Sequence, residues 1–204
     1  MAKKHVTTPF GEVAYVERGE GPVALFVHGV FVNSHLWRHV IDRVCGVRRC
    51  IAIDLLSHGD SPVPTTQDIS FRAQAQMLEA FCAALGLDQV DLVANDSGGA
   101  VAQIFAAAHP ERLRTLTLTN CDVHDNYPPA AFAPTRAAAD AGVFSAQRQA
   151  YYDDPTTENT ENTDWHVCDW PARPARNVLA PLARSIVGAA AASVFSVFSV
   201  ANLG

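Results

Sequence analysis

The sequence predicts an α/β fold, a mostly parallel sheet with helices on both faces, incomplete at its C-terminal end. Three observations carry this. Short, unbroken apolar runs such as residues 22–27 (PVALFV) and 50–55 (CIAIDL) have the character of strands buried on both faces. They alternate with segments whose apolar residues recur at helical spacing. The connections are short, as in right-handed strand–helix–strand crossovers. The chain of 204 residues, 49% hydrophobic and 18% charged, is long and apolar enough to bury one sizeable core.

In chain order, residues 10–18 (FGEVAYVER) read as a first strand and 22–27 as a second. Residues 34–44 are expected to be helical, with Leu36, Val40 and Val44 on the buried stripe. The run 50–55 is the next strand. From residue 68 to 87, Phe71, Ala75, Leu78, Cys82 and Leu85 mark one buried face of a long helix, and Gly86 is placed to end it in a left-handed turn. Residues 90–94 form a further strand, 98–108 a helix and 113–119 another strand. Residues 130–150 are Ala-rich and helical in character. Residues 153–164 (DDPTTENTENTD) are polar and read as loop or disorder. The domain division expected is therefore a core over 1–129 and a cap-like or atypical segment over 130–204.

Charge and composition narrow the function classes. With 15 basic and 21 acidic residues, a formal net charge of −6 argues against nucleic acid and anionic membranes as partners. The five cysteines (Cys45, Cys50, Cys82, Cys121, Cys168) show no paired spacing for a disulfide framework or a zinc site. Reduced thiols fit a cytoplasmic location, and the N-terminus shows no apolar signal segment. Residues 186–203 are uncharged, mostly Ala, Val, Ser and Phe, but fall short of the about twenty apolar residues of a membrane span. A membrane anchor is thus a minor reading of this run. A buried helix, an aggregation-prone end, pairing with the open edge of the sheet and contact with a partner chain are the others. The sequence specifies no oligomeric state.

Three motifs fall in loops after strands, where parallel sheets place their functional groups. The first begins at His28-Gly29-Val30, where Gly29 permits a sharp exit and a backbone N–H can face a pocket. The second is Asp54-Leu55-Leu56-Ser57-His58-Gly59-Asp60-Ser61, ordinary loop chemistry taken alone. The third, Ala94-Asn95-Asp96-Ser97-Gly98, joins a strand directly to a helix. Small residues flank a polar centre, as a nucleophile elbow requires where strand and helix backbones crowd together. The centre of that frame is Asp96. The tetrapeptide Asp96-Ser97-Gly98-Gly99 also evokes trypsin-like proteases, but those are all-β proteins and the strand–helix context here excludes them. The bland role for Asp96 is a helix N-cap.

In order and spacing these motifs resemble the α/β-hydrolase superfamily, in its haloalkane dehalogenase and epoxide hydrolase branch. The resemblance rests on His28, Gly29, Ser34, Leu36, Trp37 and Arg38, then Asp54, Leu55, Gly59 and Ser61, the elbow, and a His-Pro-Glu-Arg helix end at His109 to Arg112. It covers residues 10 to about 129. It implies a hydrolase in which Asp96 attacks an sp³ carbon of a small apolar substrate, an epoxide or a halide, to give an alkyl-enzyme ester. The backbone amides of Val30 and Ser97 would hold the oxyanion formed when water cleaves that ester. No metal or organic cofactor is implied.

The sequence also departs from the family. Ser97 and Val30 stand where dehalogenases of this kind carry a halide-gripping Trp and Asn, which counts against haloalkanes. Tyr127, Tyr151 and Tyr152 lie where a cap would supply tyrosines to an epoxide oxygen, or serve as ordinary packing residues. Asp122 takes the place of the acid after the sixth strand, with Asp125 in reserve. No Gly-His motif for the base follows it; His124 and His166 remain and read as surface residues. The alternatives are a catalytically incomplete remnant acting as a binding protein or without function, and a serine esterase through Ser97.

Overall fold

The protein's structure, a computed structural model, describes residues 1–121 and 133–143 and the backbone of 197–201. The chain divides into two compact units, one of Met1–Tyr127 with Phe195–Gly204 and one of Pro128–Val194. In the second unit the described part is α4 (Ala133–Asp140), whose residues are exposed or half-exposed and carry an Arg136–Asp140 pair at 3.8 Å.

The first unit is built on a sheet of seven strands: β1 (Lys4–Thr8), β2 (Gly11–Arg18), β3 (Val23–Val27), β4 (Arg49–Ile53), β5 (Val90–Asn95), β6 (Leu113–Thr119) and β7 (Val197–Ala201). Their spatial order is β1-β2-β4-β3-β5-β6-β7. Strands β4, β3, β5 and β6 run parallel, while β1, β2 and β7 pair antiparallel. The expected mostly parallel sheet with helices on both faces is therefore present.

Alternation along the strands sorts two cores. Ala24 and Phe26 of β3 and Cys50 and Ala52 of β4 pack with Trp37 and Ile41 beneath α1 (Arg38–Val44). Leu25, Val27, Ile51, Ile53 and Leu92 point the other way, into a larger core with α2 (Phe71–Ala84) and α3 (Gly98–Ala108). That second core includes the edge-to-face pair of Tyr15 and Phe81 at 5.4 Å. The Ser70 hydroxyl accepts from Ala73 N–H (3.3 Å) to cap α2, and Gly86 (φ 63°) follows its last turn, as expected of that position.

Three readings need correction. Strand β1 was not expected: KHVTT has no apolar run, and its place at the sheet edge needs none. It is turned back on β2 through Thr8, whose hydroxyl donates to Gly11 C=O (2.9 Å) and accepts from Phe10 N–H (3.1 Å). Of the stripe Leu36, Val40, Val44, only Val44 packs against the core, and partly. Residues Ser34–Trp37 form a 3-10 turn, and its three-residue period shifts the phase of the helix that follows. Trp37 (6% exposed) and Ile41 (0%) are buried, and Leu36 (38%) and Val40 (41%) are exposed. Lastly, a buried helix over the C-terminal run does not hold for residues 197–201. They form β7, paired antiparallel with β6 from Thr119 opposite Val197 to Thr115 opposite Ala201. The rest of that run, and the polar stretch 153–164, lie outside the described residues.

Candidate active site

The carboxyl ends of β3, β4, β5 and β6 share one edge of the sheet. From β3 the chain steps to β4 on one side, and from β5 to β6 on the other, so the winding reverses between β3 and β5. A crevice forms at such a switch point. Backbone strain is concentrated there. Among the described residues the non-glycine positions with positive φ are Phe31 (64°), Ser57 (66°), Asp96 (52°) and Asn120 (49°), each in the segment that follows one of the four parallel strands. Held strain of this kind costs about 1–3 kcal/mol per residue and gathers at functional sites.

Asp96 stands at the reversal. It links β5 to α3, with its C=O accepting from Gly99 N–H at 2.9 Å. Its side chain lies over Gly29 at the end of β3, so close that a Cβ on Gly29 would overlap the carboxylate. Gly98 is equally constrained, since a Cβ there would strike the backbone carbonyls of His28 and Val27. The crowding expected of a nucleophile elbow is thus met at Gly98, whereas Gly29 serves to make room for Asp96 rather than merely to turn the chain. The N-cap position of α3 is Ser97, whose own side chain makes no capping bond. Ser97 is 6% exposed with right-handed φ/ψ, its C=O accepting from Ala100 N–H at 3.1 Å. Its N–H sits at the positive end of α3. Val30, half-buried, follows Gly29 directly.

His28 is fully buried beside this pair. Leu55 N–H donates to its Nε2 (3.0 Å), which leaves the ring proton on Nδ1 to donate to Gly29 C=O (2.7 Å). Burial, first of all, pushes its pKa down to about 4. Both nitrogens are committed, so His28 braces the loop and is not a proton acceptor for water.

The second motif proves to be the scaffold of the first. Asp54 is 0% exposed and accepts from Ser34 N–H (2.8 Å) and Asp60 N–H (2.8 Å), and Lys3 Nζ donates to it. Burial works against this charge, but the hydrogen bonds from Lys3, Asp60 and Ser34 outweigh it and hold the carboxyl below its usual range. Gly59 (φ 52°) lies so near that a Cβ would overlap the Asp54 carboxylate. Ser61, 0% exposed, donates its hydroxyl to Asp54 C=O (2.9 Å) and accepts Ala14 N–H (2.9 Å). Lys3 was missed in the sequence, where nothing in its spacing connects it to a residue 51 positions away.

At the end of β6, Asn95 donates to Thr119 C=O (2.9 Å), and the Thr119 hydroxyl donates to Ala94 C=O (3.1 Å). This ties the strand before Asp96 to the segment leading toward Asp122. Asp122 itself, Asp125, His124, His166, Tyr127, Tyr151 and Tyr152 lie outside the described residues. Among the described residues no three His, Cys, Asp or Glu side chains converge to hold a metal ion, and no helix is long and apolar enough to cross a membrane. Cys45, Cys50 and Cys82 are unbridged thiols, and the Cys121 thiol donates to Thr119 C=O (3.3 Å).

The family model of the α/β-hydrolase fold matches residues 22–160, more than half of the chain. The chain belongs to this family. Within it, residues of this chain are 43% identical over 105 positions to a haloalkane dehalogenase of Mesorhizobium japonicum, covering 51% of this chain and 34% of that relative. Two solved structures resemble it at a TM-score of 0.52. One is the haloalkane dehalogenase DbeA of Bradyrhizobium elkani, 38% identical over 56% of this chain and 40% of that one. The other is an epoxide hydrolase mutant of Vigna radiata, 33% identical over 56% of this chain and 37% of that one. This α/β-hydrolase chain spans between a third and two fifths of the length of these relatives.

Proposed function

We propose that this α/β-hydrolase chain opens a small apolar alkyl substrate, an epoxide or a halide, through an ester on Asp96. One observation carries the reading: Asp96 holds a left-handed conformation at the β5–α3 turn, with its carboxylate over Gly29 at the switch point of the sheet. A carboxylate is suited to an sp³ carbon, because attack on an acyl carbon would give a labile anhydride. An Asp96 oxygen forms the new C–O bond while the carbon–halide or carbon–epoxide-oxygen bond breaks. The halide leaves as the anion, or the alkoxide takes a proton from one of Tyr127, Tyr151 and Tyr152, the hydroxyls assigned to the epoxide oxygen. Water then adds to the ester carbonyl, the amides of Val30 and Ser97 receive the oxyanion, and acyl–oxygen cleavage frees the alcohol and the carboxylate. Asp122 is assigned to orient the histidine that takes the proton of that water.

The relatives named for haloalkane and epoxide chemistry support this substrate class. Val30 and Ser97, which lack side-chain N–H donors for a halide, favour the epoxide within it. A second reading rests on His28. Because its two nitrogens are committed, His28, whose backbone lies against Gly98, does not serve as base, and a chain with no other would hold its ester without turnover. Intact-mass spectrometry after incubation with a panel of epoxides and haloalkanes tests both. A covalent adduct mapped to Asp96, absent in Asp96→Asn and retained in Ser97→Ala, is the expected result. Persistence of that adduct for hours selects the second reading, and its decay with alcohol release the first. Neither adduct nor alcohol release with any of the panel would overturn both, and an adduct on Ser97 would favour an esterase.

A further inference from the structure

The ammonium of Lys3, just before β1, reaches across to the loop after β4. It donates to Asp54 and lies 3.0 Å from Asp60 Oδ2, with its side chain only 20% exposed. The Asp54 carboxylate is the hub of this contact. One oxygen accepts Ser34 N–H, where the loop begun at His28 ends, and the other accepts Asp60 N–H within the loop after β4. A carboxylate with no exposed surface needs a paired cation to stay charged. In this chain that cation comes from the N-terminal segment. The loop carrying Gly29 and Val30 is therefore fixed at both ends: at its start by the His28 ring, bonded to Gly29 C=O and Leu55 N–H, and at its end by Asp54.

We infer that Lys3 is a positioning residue: by neutralising Asp54 it locks residues 28–34 against the loop after β4 and so sets the place of the Val30 amide beside Asp96. The functional half rests on the reading of Val30 as an oxyanion donor; the lock itself does not. Lys3 touches no reacting atom. Without its ammonium, Asp54 becomes a buried charge with two backbone donors, and it is relieved by opening the loops so that water reaches it. The opening is local, because the sheet beneath is held by the two apolar cores.

Amide hydrogen exchange on the full chain tests this. In Lys3→Met, protection of residues 30–36 and 54–61 is expected to fall roughly ten- to a hundred-fold, the range of a charge-assisted hydrogen bond, while β3 and β5 keep theirs. Lys3→Arg restores the loops. Asp60→Asn, which spares the Asp54 contact, changes them by less than about three-fold, as for an exposed ion pair. Unchanged loop protection in Lys3→Met, or a uniform loss across loops and sheet, overturns the inference. If the wild-type chain shows neither an adduct on Asp96 nor alcohol release, the catalytic reading fails by itself and the exchange result still decides the lock.

Discussion

The buried His28 makes the stability of this protein depend on pH in a way that can be worked out in advance. In the folded chain its pKa is pushed to about 4, against 6.5 for the free side chain. Between those values the unfolded chain takes up a proton at this position and the folded chain does not. Stability is therefore full above about pH 7 and falls as the pH drops through the window, reaching its full loss below the folded value. Each pKa unit is worth 1.36 kcal/mol, so His28 alone removes about 2 kcal/mol between pH 7.5 and 5, and about 3 kcal/mol by pH 4. Asp54, whose pKa is also lowered in the fold, adds loss in the same direction at more acid pH. A variant separates the two. His28→Gln lacks the titrating ring but leaves Asp54 and every exposed carboxylate in place. Urea unfolding of both proteins at pH 7.5, 6 and 5 is the assay. The variant is expected to be less stable at pH 7.5, and the gap is expected to close by about 2 kcal/mol at pH 5. Parallel curves, with a gap that does not change with pH, would refute the assignment of His28 as a buried neutral imidazole.

Two other substitutions follow from the geometry of the same edge. Gly29→Ala places a methyl group where the Asp96 carboxylate lies. It should cost about 1–3 kcal/mol by overpacking and slow Asp96 adduct formation on the order of a hundred-fold, read by urea midpoint and intact mass. Ser61→Ala strands Ala14 N–H and Asp54 C=O in the interior. A loss of about 2–4 kcal/mol with an unchanged urea slope is expected, and a loss below about 0.5 kcal/mol would mean that water or a backbone shift repairs both groups.

How much of this was legible beforehand depends on the range of the interaction. Helix α3 and strand β6 begin and end where the sequence places them, because the apolar run, the elbow glycines and the His109-Pro110 break are local signals. The elbow frame singles out Asp96 as a candidate from equally local signals. Helix α1 starts one residue out of the expected phase because a 3-10 turn, capped by Asn33 and packed through Trp37 on Phe26 (5.2 Å between rings), precedes it. Strand β1 has a polar sequence and exists because β2 offers it an edge.

By itself the sequence determined the class of fold and the succession of strands and helices along the chain, and it singled out Asp96 as the candidate at the strand–helix turn. Each of these follows from side-chain type and spacing within some twenty residues. Only the tertiary structure decided that Gly29 yields its volume to Asp96, that His28 is a brace with both nitrogens spent, and that Lys3 balances the buried charge of Asp54. Those contacts join segments distant in sequence. They come into being only when crossovers bring the ends of several strands to one edge, where a buried group must find its partner from whichever part of the chain is near.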